Sequence, residues 1–164
     1  MGMKVLILDV DDVLNCWKTT DVILTPDGTP SWIPGRVPRV AWKGLDEFRV
    51  EFIRNIVRKT GCKIVLSTSW RLDDVATEYL KKRLGADIAE HIIGATVDHN
   101  GNEPRAVEIE EWIEKHPEVT KFVILDNTEW DDLERFGRSF VQTVTHKGMN
   151  EEHMKRVIEI LGEE

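Results

Sequence analysis

Three short apolar runs stand out along the chain, at residues 4–9, 63–67 and 121–126, and each ends on a polar residue: Asp9, Ser67 and Asp126. None alternates with a period of two, which is the pattern of strands buried on both faces in a parallel sheet. A fourth run, residues 139–145, alternates more and is expected nearer an edge. Between the runs the apolar spacing becomes helical. Leu45, Phe48, Phe52 and Ile56 recur at three and four residues before Gly61, and Leu72, Val75, Ala76, Tyr79, Leu80 and Leu84 form a second stripe closed by Gly85. Pro104 opens a third helix whose apolar face is Ile109, Trp112 and Ile113, and which stops at Pro117. Asn150 suits the N-cap of a last helix with Met154, Val157, Ile158 and Leu161 inward and Glu151 and Glu152 at its positive end.

Strands alternating with helices predict an α/β three-layer sandwich, a central parallel sheet between two helical layers joined by right-handed crossovers. Residues 15–44 break the pattern: they hold Pro26, Pro30, Pro34 and Pro38 with Gly28, Gly35 and Gly44 and have no clear period. Thirty irregular residues are too many for an ordinary connection, so this stretch is expected to be a small cap inserted into one domain spanning residues 1–164.

Composition narrows the class of function. At 164 residues the chain can bury a core without staples, and its two cysteines, Cys16 and Cys62, form no framework. No apolar stretch approaches the length of a membrane span and no apolar leader opens the chain, so the expected setting is the cytoplasm, away from membranes. Twenty-two Lys and Arg against thirty Asp and Glu give a net charge of −8, which argues against wholesale wrapping by nucleic acid but leaves room for a local phosphate site. Residues 31–45 depart from that balance, carrying Arg36, Arg39 and Lys43 and no acid. Trp17, Trp32 and Trp42 lie in or beside the same insertion. They read either as packing anchors or, with those cations, as a lid over a phosphorylated nucleotide or strand end.

In open α/β sheets ligands bind at the carboxyl ends of the strands, where Asp9, Ser67 and Asp126 all fall. Asp9, Asp11 and Asp12 crowd the first such end, and converging carboxylates call for a cation; hard oxygens favour Mg²⁺. The run Asp9-Val-Asp11-Asp12-Val13 after an apolar strand resembles the first motif of the haloacid dehalogenase-like (HAD) hydrolases. Three further motifs follow in that superfamily's order: Ser67 at a strand end, Arg105 opening a helix, and Asp126 at another strand end. The resemblance implies the Rossmann-like HAD fold and phosphatase chemistry. In that chemistry Asp9 is the nucleophile that becomes an aspartyl-phosphate and Asp11 is the general acid and base. Ser67 holds a phosphoryl oxygen, Arg105 neutralises charge, and Asp9, Asp126 and the Asp11 backbone bind Mg²⁺. The stretch Leu66-Ser67-Thr68-Ser69-Trp70-Arg71, with Glu108-Ile109 and Gly148-Met149, is similar more narrowly to compact HAD domains of polynucleotide end-repair proteins. It implies a phosphorylated nucleotide or nucleic-acid end as substrate.

The sequence departs from the HAD pattern in places. Asp12 stands where Gly is usual, and Arg105 where Lys is usual. The second acid of the fourth motif is open between Asn127, Asp131 and Asp132. Thr68 competes with Ser67 for the phosphate and equally suits a helix cap; Arg71 either binds phosphate or pairs with an acid. Glu108, Glu110, Glu111 and Glu114 read as a solvated helix face, and the five histidines show no paired ligand spacing. Two other classes use similar parts, a phosphoreceiver signalling domain and a catalytically silent phosphate-binding module. The order of Ser67 before Asp126 disfavours the first. Oligomeric state leaves no mark on the sequence.

Overall fold

A computed structural model describes residues 2–24 and 41–163, and within these the side chains of Leu24, Ala41 and Trp42 are not described. Five parallel strands form the sheet: β1 (Met3–Leu8), β4 (Lys63–Leu66), β5 (Ile92–Ala95), β6 (Val119–Asp126) and β7 (Phe140–Gln142). Their order is β5-β4-β1-β6-β7, which puts the Asp9 strand in the centre with the Ser67 and Asp126 strands on either side.

The central strand shows why its sequence does not alternate. Val5, Leu6, Ile7 and Leu8 are all fully buried, but they serve different layers. Leu6 and Leu8 pack with Val50, Ile53 and Ile56 of α1 (Glu47–Thr60), Leu80 of α2 (Asp74–Leu84) and Val157 of α5 (Glu151–Gly162). Val5 and Ile7 pack with Ala106, Ile109 and Trp112 of α4 (Arg105–Glu114) and with Leu133. At about 1.5–3 kcal/mol for each large side chain removed from water, this two-sided burial is what fixes the strand in the middle.

The helix boundaries follow local chemistry. Gly61 ends α1 in the left-handed region at φ 68°, returning its N–H to the Val57 carbonyl. Asp73 caps α2 through the Ala76 N–H at 2.9 Å. Asn150 and His153 form a reciprocal capping box at the start of α5, each side chain accepting the other's backbone N–H at 3.0 Å.

Four expectations change. The stripe beginning at Leu72 is two elements, a 3-10 turn (Ser69–Leu72) and α2 proper, because Asp73 caps a new helix rather than continuing the old one. The strand β5 and a short helix α3 (Ala86–Ala89) lie in a segment with no clear period. Within the insertion lies a two-stranded antiparallel ladder, β2 (Val22–Leu24) with β3 (Ala41–Lys43), too short for period-two alternation to show. Glu108, expected on a solvated face, is only 6% exposed. Among the described residues no helix is long and apolar enough to cross a membrane.

Candidate active site

Parallel pairing brings the site residues into one row. Backbone hydrogen bonds continue one residue past the strand ends: Asp9 N–H donates to Leu125 O, Ser67 N–H to Leu8 O, Thr96 N–H to Leu66 O and Thr143 N–H to Asp126 O. Thr96, Ser67, Asp9 and Asp126 therefore lie side by side along the carboxyl edge, with neighbouring strands about 4.8 Å apart, while Gln142 is the β7 residue beside Asp126 and Thr143 stands one step beyond it. Asp9 and Asp126 are buried, at 6% and 0% exposure.

Arg105, the first residue of α4, reaches both carboxylates. Its Nη1 donates to Asp126 Oδ2 at 2.6 Å and stands 3.5 Å from Asp9 Oδ2. The other Asp126 oxygen accepts the Thr128 N–H at 2.9 Å. Asp131 anchors this corner: its Oδ1 accepts the Arg105 N–H, its backbone carbonyl the Ala106 N–H, and its Oδ2 the Thr128 hydroxyl. Asp131 thereby fixes where α4 begins. Asn127 joins another loop, donating to Thr145 Oγ1 at 3.2 Å.

Burial, and then the neighbouring Asp126, push the Asp9 carboxyl well above its ordinary value despite the opposing charge of Arg105. Burial also works against the Arg105 cation, but Asp9 and Asp126 outweigh it and the net shift is upward. One guanidinium thus faces two buried carboxylates, and the unbalanced negative charge is what a hard cation would neutralise. Among the described residues no three His, Cys, Asp or Glu side chains cluster as a metal cage. The two carboxylates alone are the hard oxygen donors that Mg²⁺ takes.

Ser67 and Thr68 separate clearly. Thr68 Oγ1 accepts the Trp70 N–H at 3.3 Å and so caps the 3-10 turn. Ser67 Oγ is buried and, among the described residues, has no hydrogen-bond partner, as is also true of Thr96 Oγ1. A buried hydroxyl without a partner forgoes about 1–3 kcal/mol, which a ligand oxygen would restore.

Asp11 is exposed, and its Oδ1 accepts from Asn15 Nδ2 at 3.0 Å. Asn15 also accepts the Asp12 N–H and donates to Gly44 O, so one buried amide shapes the whole turn. Asp12 takes φ 60°, the left-handed conformation a glycine at this position would adopt freely. Thr143 Oγ1 secures the Asp12 carbonyl at 2.9 Å. Sequence patterns pass over Thr143, whose partner is a backbone carbonyl in a distant loop, and over Asn15, which joins its own turn to the distant Gly44 carbonyl.

Arg71 is committed to protein groups. It donates to Thr96 O at 2.9 Å and to Thr68 O, and it lies 3.5 Å from Glu108 and 3.7 Å from Asp98. Glu108 accepts the His99 N–H at 3.0 Å, and burial raises its carboxyl above the ordinary value. A cleft of about 200 Å³ opens beside Arg105, with Ser69, Arg71, Asp98, Glu108 and Asp131 in its walls. Lys43 donates to the Cys16 and Trp17 carbonyls at 2.9 and 3.2 Å. Arg36 and Arg39 lie outside the described residues, as does Trp32. Trp17 is no packing anchor, being 65% exposed.

The sequence model of one family, described as the HAD domain in Swiss Army Knife RNA repair proteins, matches residues 5–154. No curated protein sequence matches the chain.

Proposed function

From the premise that the chain belongs to this family of HAD domains, which are of hydrolase and phosphatase type, we propose that it hydrolyses phosphomonoesters with Mg²⁺ through an aspartyl-phosphate. The substrate is a nucleotide or a phosphorylated nucleic-acid end, the latter in keeping with the family's description. The observation that carries this reading is the pair of buried carboxylates at adjacent strand ends, sharing one guanidinium and flanked by an unpartnered hydroxyl.

In this reading Asp9 attacks phosphorus; its P–O bond forms as the ester oxygen leaves. Asp11, solvent-exposed and oriented by Asn15, gives that oxygen a proton and later takes one from the water that attacks the phosphoaspartate, returning Asp9 and free phosphate. Ser67 Oγ donates to a phosphoryl oxygen. Arg105 shifts part of its charge from Asp126 and Asp9 to the phosphoryl group, whose developing charge is the main thing to be stabilised. Asp9, Asp126 and the Asp11 carbonyl would hold Mg²⁺, which supplies charge neutralisation and favours the ionised form of Asp9. Asn127 and Asp131 belong to the surrounding shell through Thr145, Thr128 and the start of α4. The domain limits 1–164, with residues 15–44 as the cap, belong to the same reading.

Turnover of p-nitrophenyl phosphate tests it. Mg²⁺-dependent hydrolysis is expected from the wild type and none from Asp9→Asn. With a poor leaving group, Asp11→Asn should be slower by about 10² to 10⁴. No turnover across a panel of phosphomonoesters would instead favour a silent phosphate-binding module.

A further inference from the structure

Resting on the proposed nucleic-acid-end substrate, we infer that the rim formed by Trp17, Lys18, His146 and Lys147 is the seat of the single-stranded RNA that leads away from the phosphorylated end. The loop after β1 and the loop after β7 meet there. Trp17 N–H donates to His146 O at 3.0 Å and Met149 N–H to Val13 O at 2.8 Å, while His146 Nδ1 lies 3.8 Å from Asp12 Oδ1. This ties the rim to the turn that carries Asp9 and Asp11. The buried Arg49 holds the second loop in place, donating to Lys147 O at 2.7 Å and Met149 O at 3.0 Å. A surface already braced in this way loses little further freedom on binding.

The chemistry of the rim is that of a strand-binding surface. Trp17 is 65% exposed on a braced backbone, and Lys18 Nζ stands 5.1 Å from its ring centre. Lys18, His146 and Lys147 are exposed, and among the described residues neither lysine has an ion-pair partner. In a chain of net charge −8 that is a local reversal of sign, and cations interleaved with an aromatic ring fit a phosphate backbone with stacked bases. Among the described residues the other strongly exposed tryptophan, Trp130 at 88%, sits among Glu129, Asp131 and Asp132, whose charges repel a polyanion. The geometry therefore favours the Trp17 side.

Equilibrium binding of fluorescein-labelled hexauridylate bearing a terminal phosphate, 3′ in one probe and 5′ in another, decides the matter in the Asp9→Asn background. Trp17→Ala should weaken binding of at least one probe by about 5- to 100-fold, with Trp17→Phe restoring most of it. Lys18→Gln with Lys147→Gln should flatten the salt dependence by about 1.4 in log–log slope. Wild-type-like binding by Trp17→Ala, an equal or larger loss in Trp130→Ala, or no binding of either probe would overturn the inference. Failure of the catalytic reading is separate: it shows as absent phosphoester turnover by the wild type, which binding does not depend on.

Discussion

At the scale of single residues, the site is governed by which polar groups find partners inside the protein. Thr68 finds one in the Trp70 N–H and Ser67, among the described residues, does not, although they are adjacent. Arg105 is shared between two carboxylates, whereas Arg71 donates to two carbonyls and lies against Glu108. The two arginines are indistinguishable by composition, and only their neighbours assign one to the row of strand ends and the other to the cleft wall. His99 gives a titration to check. Its Nε2 lies 2.7 Å from Glu111, and this hydrogen bond raises its pKa above the ordinary value near 6.5. The imidazolium is thus favoured in the folded state, so its contribution is present below about pH 6.5 and is lost as pH rises through the higher folded value. NMR titration should place the His99 midpoint above 6.5 and return it toward 6.5 in Glu111→Gln; an unchanged midpoint would remove Glu111 as the cause.

At the scale of elements, strand ends and loops divide the work. The strands set the spacing of Asp9, Ser67 and Asp126, and the loops supply everything that orients them. The loop after β7 shows how tightly these pieces fit. Gly148 has φ +74°, and a Cβ there would stand 2.7 Å from the Asn15 carbonyl oxygen and 2.6 Å from Arg49 Nε. Asn15 is the residue that holds Asp11 and Asp12, so crowding Gly148 disturbs both stability and the turn for which acid-base chemistry is proposed. Gly148→Ala should cost about 1–3 kcal/mol in urea unfolding and lower phosphoester turnover. A variant with the wild-type midpoint would show that the loop has slack which these contacts deny.

For the molecule as a whole, folding creates the proposed cation site, because Asp9 and Asp126 lie far apart in the chain and come together only through pairing of β1 with β6. A ligand of such a site binds the folded state alone and raises its stability by mass action. Mg²⁺ at about a hundred times its dissociation constant should add about 2.7 kcal/mol, or roughly 5 to 10 °C in Tm for a domain of this size. Asp126→Asn should abolish most of that shift in differential scanning calorimetry. An equal shift in both proteins would place the ion elsewhere.

The apolar pattern of the chain determined the layered α/β architecture by itself, since uninterrupted runs at residues 4–9, 63–67 and 121–126 are stable only as strands covered on both faces. It also marked the strand ends where polar residues collect, and the capping chemistry at Gly61 and Asn150, which depends on a few neighbouring residues. Tertiary structure alone decided the rest. The ladder β2–β3 and the strand β5 are too short to carry a period, Glu108 is buried because Arg71 and the His99 N–H meet it, and Asn15 matters because Gly44 and two aspartates surround it. Apart from Asn15's bonds to its neighbouring aspartates, these depend on contacts between segments remote in the chain. Periodicity reports the environment of an element, but a side chain's partners across the fold are set by how the elements pack.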